Sequence, residues 1–260
     1  MKREVRNGLH VGRLDRPLAP QVIFVHGVMD RGATFLSVAR LLTSASWVIY
    51  DRRGYGRSSV GEVPGFEDHV ADLVRIIERE SRDGPVVVVG HSLGATIALA
   101  AASRTSASVS CVVVHEAPLP WLDWWPIRDA EGRRIEDETP HDAVTRVMER
   151  TAGADVWHSL PESIRSRRLS EGPVMVAELV GARDGCPFEA VNLDMFVVVS
   201  RGSHSHGHRE QAQQWLVDNL PFARSHVIAG AAHNVQSTNP SAFAELITSV
   251  IEGVNRRYSS

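Results

Sequence analysis

At 260 residues the chain is long enough for one large α/β domain with a full core, and an apolar content of 43% argues against disorder. A net charge of -3, from 28 basic and 31 acidic residues with no long basic block, gives no expectation of nucleic acid as a partner. Two cysteines are too few for a disulfide framework, residues 1–8 lack the apolar stretch of a secretory signal, and no run approaches the ~18 apolar residues of a membrane span, so a cytoplasmic enzyme away from membranes is expected.

Residues 3–15 read as two short strands around Asn7-Gly8, a dipeptide suited to a type I′ hairpin because both central residues need positive φ. Residues 22–26 form a short apolar strand ending in His26-Gly27. Residues 34–42 have helical spacing (Phe35, Val38, Ala39, Leu41, Leu42), with Thr34 as the N-cap. Residues 47–50 are a strand, followed by a glycine-punctuated loop at 51–58 with a structural role. Residues 67–82 are amphipathic, with Val70, Leu73, Val74 and Ile77 on one face and His69 expected in solvent or at the core edge.

Four valines at 86–89 read as a strand buried on both faces, since branched side chains stack well on a covered pleat. Gly90-His91-Ser92-Leu93-Gly94 follows, and the Ala- and Leu-rich residues 95–102 read as a buried helix. Ser92 falls in the tight turn between them, with Gly90 and Gly94 supplying room. A hydroxyl there stands at the C-terminal edge of the sheet beside a helix N-terminus. That suits an oxygen nucleophile and the negative charge formed after attack. Residues 109–115 form another strand, with Cys111 as a small core residue. The periodicity then changes. Residues 118–126 hold Trp121, Trp124 and Trp125 between prolines, and charged, irregularly amphipathic segments run on to about 168. Residues 195–199 resume the sheet, 211–220 are helical, and 225–228 are a last short strand. Gly230-Ala231-Ala232-His233 comes next. Residues 241–254 close with a helix carrying Phe243, Leu246, Ile247 and Val250 on one face.

The strand–G-H-S-L-G–helix run resembles the nucleophile elbow of the α/β-hydrolase fold superfamily, in its serine-nucleophile, esterase-like branch. His26-Gly27, the run Asp51 to Ser58 (D-R-R-G-Y-G-R-S), His115-Glu116-Ala117-Pro118 and Gly230 to His233 are similar to that family in the same order, over nearly the whole chain. The resemblance implies an α/β fold: a mostly parallel, doubly wound sheet with an inserted helical cap. The core would be residues 1–117 and 193–260, and the cap or lid 118–192. It further implies Ser92 as nucleophile and the amides of Val28 and Leu93 as oxyanion hole. Serine needs a base that can take its proton and later return it, and the family's position for that imidazole falls on His233. Trp121, Trp124 and Trp125 would either line a substrate pocket or anchor the insertion to the core.

The acid is harder to assign. Its commoner family position follows the strand after the cap, and residues 200–208 contain no Asp or Glu. In open α/β sheets, active groups gather at the carboxyl ends of strands. Asp184 and Asp194 precede their strand, and Glu210 opens a helix toward solvent. Glu116 directly follows the strand 109–115. The run H-E-A-P-L-P-W-L-D-W-W-P also resembles a group of haloalkane dehalogenases that carry the acid there. Glu116 is therefore the expected acid. Those dehalogenases attack through aspartate, so Ser92 disfavours their chemistry. His204, His206 and His208 are expected to be a polar loop, or else to support His233 from nearby, rather than to hold a metal. The expected activity is hydrolysis of a small carboxylic ester, thioester or lactone through an acyl-enzyme on Ser92. It needs no cofactor, and a small-molecule substrate is its one expected partner. Carbon–carbon bond hydrolysis or perhydrolysis on the same residues, and a non-catalytic small-molecule receptor, are the alternatives.

Overall fold

The computed structural model describes residues 1–58, 61–128 and 132–258. Its strands are β1 (Lys2–Arg6), β2 (Leu9–Leu14), β3 (Gln21–Val25), β4 (Ser46–Tyr50), β5 (Val86–His91), β6 (Val109–His115), β7 (Phe196–Gly202) and β8 (Ala223–Ile228). They form one eight-stranded sheet in the order β1-β2-β4-β3-β5-β6-β7-β8. The β1–β2 hairpin is antiparallel, β2 runs antiparallel to β4, and every other neighbouring pair is parallel. Asn7 (φ 48°) and Gly8 (φ 79°) both take the left-handed backbone that their turn requires.

The helices are α1 (Leu36–Leu41), α2 (Phe66–Glu80), α3 (Leu93–Arg104), α4 (Pro140–Ala152), α5 (Ala154–Ser159), α6 (Glu162–Ser170), α7 (Gly172–Gly181), α8 (His208–Asn219), α9 (Val235–Thr238) and α10 (Pro240–Tyr258). The valine run of β5 splits by its period of two. Val86 and Val88 pack with α2, α3 and α8, while Val87 and Val89 pack with α1 and α10 on the other face. Both faces are covered, which is why the strand is uniformly apolar rather than alternating. None of the described helices is long and apolar enough to cross a membrane.

Thr34 does not cap α1. A 3₁₀ turn, Gly32–Phe35, leads into the helix, and the Thr34 hydroxyl donates to the Arg31 carbonyl at 2.8 Å. The cause is contact with β4. The Gly32 amide donates to Asp51 Oδ1 at 3.0 Å, and a methyl on Gly32 would lie 2.6 Å from the Tyr50 carbonyl oxygen. The chain is pinned there and must enter the helix through the tighter turn.

Helices α4 to α7 form an insert between β6 and β7, with a small apolar cluster of its own around Val144, Val147, Trp157 and Met175. Tyr55 and Met29 from the sheet side join that cluster. At its centre Glu178 of α7 is fully buried. It pairs with Arg52, lies 3.1 Å from His69 Nε2 and accepts from the Tyr55 hydroxyl. His69 is thus a core residue rather than a solvated one. Burial opposes the Glu178 charge, but Arg52 and His69 outweigh it and pull its carboxyl down to about 2. Removing one member of such a pair strands the other charge in the interior, at about 3–5 kcal/mol. Glu178→Ala is therefore expected to lower unfolding stability in urea by about 3 kcal/mol or more; a loss below about 1 kcal/mol would deny the network its role.

Candidate active site

Ser92 is the first residue beyond β5 and precedes the first turn of α3. Its backbone is left-handed, with φ 52° and ψ -131°. A non-glycine residue there costs about 1–3 kcal/mol and persists only where its surroundings fix it. They do so closely. The Ser92 amide donates to the His115 carbonyl at 2.9 Å, and its carbonyl accepts from the Ala95 amide at 2.8 Å. A methyl on Gly90 would meet the Ala95 Cα at 2.5 Å, and one on Gly94 would meet the Val25 carbonyl oxygen at 2.3 Å.

The ends of β5, β6 and β7 lie in register, His91 beside His115 and His115 beside Ser200. The residue after β6 is Glu116, which is also left-handed (φ 49°) and donates its amide to the Ser200 carbonyl at 2.9 Å. Its side chain is fully buried and crosses the end of β7. Oε1 accepts from the Gly202 amide at 3.0 Å, and Oε2 lies 2.7 Å from His233 Nδ1. A carboxylate only accepts, so Nδ1 carries the proton and the lone pair of the neutral ring lies on Nε2. His233 stands in the loop after β8, where His91 Nε2 donates to its carbonyl at 2.8 Å and the two ring centroids are 4.7 Å apart. His91 Nδ1 in turn accepts from Gln236 Nε2 at 3.2 Å. The structure therefore unites Glu116 with His233 and sets both beside the Ser92 turn. Among the described residues the Ser92 hydroxyl has no hydrogen-bond partner, a looseness common in sites without substrate.

Burial works against the Glu116 charge. The hydrogen bond from His233, the imidazoles of His115 and His233, and the Ser205 side chain outweigh it and hold the carboxyl far below the usual range. Burial drives His115 down to about 4, and it also drives His91 and His26 well below the usual imidazole value. Sequence reasoning missed Arg209, whose Nε lies 2.9 Å from Glu116 Oε2. It also missed the Gly202 amide and His91. Their signal is three-dimensional, because neither the α8 start nor the β7 end carries a motif.

The loop of Val28 abuts the elbow. A methyl on Gly27 would lie 2.9 Å from Ser92 Cβ. Neither the Val28 nor the Leu93 amide donates to a backbone carbonyl among the described residues outside regular elements. Trp121 is wedged edge-on between Phe188 (5.8 Å) and Trp215 (6.3 Å), and Trp125 packs edge-on against His208 (4.8 Å). His204 and His206 are exposed, and among the described residues no group of three or more His, Cys, Asp or Glu could hold a metal ion. An open groove of about 1290 Å³ lies at the opposite, N-terminal edge of the strands, between Thr105, Phe196 and Phe222. It includes none of the residues above.

The profile of a family described as alpha/beta hydrolase fold matches residues 20–164, more than half of the chain. A lipase, LipV, of Mycobacterium tuberculosis is 27% identical over 163 residues, covering 63% of this chain and 61% of that lipase, so the match spans about three fifths of the relative. The 2-succinyl-6-hydroxy-2,4-cyclohexadiene-1-carboxylate synthase of Escherichia coli K12 is 26% identical over 248 residues, covering 91% of this chain and 95% of the synthase. Among solved structures, an esterase from Exiguobacterium antarcticum superposes with a TM-score of 0.69 at 17% identity, over 94% of this chain and 95% of that one.

The buried neutral imidazoles carry a consequence for stability. In the unfolded chain they take up protons near pH 6.5, whereas His115 in the fold does so only near 4. Between those values the unfolded state binds more protons, so stability falls as the pH is lowered. Urea unfolding at pH 7, 6 and 5 is expected to give stepwise lower midpoints at unchanged slope. A flat profile across that window would mean that these rings are protonated in the fold.

Proposed function

The chain belongs to the α/β hydrolase fold family, and we propose that it is a serine hydrolase that cleaves a small carboxylic ester, thioester or lactone through an acyl-enzyme on Ser92. The observation that carries this reading is the 2.7 Å contact of Glu116 with His233 beside the strained Ser92 turn. His233 Nε2 takes the Ser92 proton as Oγ attacks the substrate carbonyl. The developing oxyanion is received by the Val28 and Leu93 amides, at the N-terminus of α3. Such donors are worth about 10²–10³ in turnover each. The imidazolium then protonates the leaving oxygen or sulfur. In the second half the imidazole takes a proton from water as it attacks the acyl-enzyme, and the imidazolium returns that proton to Ser92 Oγ as the acid is freed. Glu116 stays ionised throughout, fixes the ring's tautomer and steadies its positive form. The mechanism asks for no cofactor.

Residues 118–192 serve in this reading as a cap over a core of 1–117 and 193–260. Trp121, held by Phe188 and Trp215, is its anchor. Trp124 and Trp125 are half-buried, with Trp125 against His208, and are left to line the substrate side. A second reading keeps the same three residues for another reaction, carbon–carbon bond hydrolysis among them. It draws support from the near-full-length Escherichia coli relative, which is named as a synthase and not as an esterase.

The test is hydrolysis of short p-nitrophenyl esters by the wild type, Ser92→Ala and Glu116→Gln, with circular dichroism to verify folding. Ser92→Ala is expected to lower kcat by about 10³ or more, and Glu116→Gln by about 10²–10⁴. Activity that survives loss of the Ser92 hydroxyl would sink the nucleophile assignment, and near-normal turnover in Glu116→Gln would sink the acid.

A further inference from the structure

We propose that Arg209 is a positioning residue for the Glu116–His233 pair: its guanidinium shares one carboxylate oxygen with the imidazole and so fixes a long acid side chain in place. The proposal rests on the serine-hydrolase reading above. Glutamate has one more side-chain torsion than aspartate, and this one must reach from the end of β6 past β7 to the loop after β8. Ordering such a side chain costs conformational entropy unless several contacts hold it. Three donors do so. The Gly202 amide takes Oε1 at 3.0 Å, while His233 Nδ1 at 2.7 Å and Arg209 Nε at 2.9 Å share Oε2.

Arg209 is itself borne on a rigid support. It is the second residue of α8, whose Ala212 and Leu216 are buried against the sheet. Gln213, one turn on, donates to the carbonyls of Val199 on β7 (2.8 Å) and His226 on β8 (3.0 Å). The guanidinium is therefore tied to the two strands that Glu116 must span. Its side chain is 33% exposed and that of Glu116 is 0% exposed, so Arg209 stands between the carboxylate and solvent. This is a half-buried contact on a desolvated acid, unlike the surface ion pairs that contribute little. Among the described residues Arg209 has no other ion-pair partner.

Arg209→Gln and Arg209→Lys, each in the wild-type and the Glu116→Gln background, test the proposal with p-nitrophenyl esters. Arg209→Gln is expected to lower kcat roughly 10- to 100-fold, the range typical when a supporting partner of a working group is lost, with KM within about twofold. Arg209→Lys should recover part of the loss. In the Glu116→Gln background the further cost should fall below about threefold, since the arginine would act only through that carboxylate. An equal cost in both backgrounds, or a loss confined to KM, would assign Arg209 to substrate binding and overturn the proposal; so would unchanged kcat. The far-downfield proton resonance of His233 Nδ1–H gives a readout independent of turnover. It should weaken or shift in Arg209→Gln and vanish in Glu116→Gln. If Glu116→Gln leaves turnover intact, the acid assignment fails, and an unshifted resonance in Arg209→Gln then separately rejects the positioning role.

Discussion

Backbone-to-backbone contact at the start of α3 is the constraint on which the rest of the molecule depends. Three glycines permit it. Gly94 lets the helix press on the carbonyls at the end of β3, Gly90 lets the turn close on Ala95, and Gly27 lets the neighbouring loop touch Ser92. No side chain larger than hydrogen fits at these contacts without a shift of backbone atoms. The helix then lies flat on the sheet, because every residue of α3 from Leu93 to Ser103 is buried and most are small. A left-handed serine, a helix N-terminus and the Gly27 loop are thereby brought together. The strain of the turn is offset by the ladder bonds on either side and by the packing of α3 rather than by any contact of the serine hydroxyl.

A second tier of buried charge attaches the helical insert to that point. Glu178 reaches from α7 to Arg52, whose guanidinium also donates to the carbonyls of His26 (3.0 Å) and Gly27 (2.9 Å). Glu171, between α6 and α7, takes Arg31 at 2.5 Å and the Gly56 amide at 3.0 Å, and Arg168 donates to the Met29 carbonyl. Both carboxylates therefore bear on the loop that carries Val28. Charged hydrogen bonds in a desolvated setting are stiff. Displacement of the insert would be felt first in that loop, which on the proposed mechanism is where the oxyanion is received.

Local chemistry was legible in the sequence where it is local in space. The valine run, the Asn-Gly hairpin and the G-H-S-L-G turn each carry their geometry within a few residues. Glu116 was reachable because strand ends are ordered positions: whatever follows β6 must stand at the same edge as whatever follows β5. What stayed hidden depends on contacts between distant segments. Thr34 reads as a cap until Gly32 is seen pinned on β4. His69 reads as a solvated or core-edge residue until Glu178, more than a hundred positions away, is seen to bury beside it. Arg209 carries no pattern at all.

If Glu116 is the acid, as proposed, its place after β6 is matched by the backbone at the end of β7. At the end of β7, where the commoner arrangement would put a carboxylate, stands Gly202. A methyl there would lie 2.2 Å from the Ala231 carbonyl oxygen, so β7 and the loop of His233 touch through backbone alone. That closeness leaves little room for an acid rooted in β7 at this residue, but it exposes the Gly202 amide as a donor. On the proposed reading the acid instead follows β6, one strand further from His233, and the added distance is met by the longer side chain of glutamate and by the left-handed backbone at Glu116. The cost of the longer reach is a carboxylate with more freedom and more buried surface. The Gly202 amide and the Arg209 guanidinium answer both needs, since each restrains one oxygen and the second supplies a counter-charge. On the proposed reading the Gly202 amide, Glu116 and the Arg209 guanidinium work as one unit, because both donor groups bear on the same carboxylate.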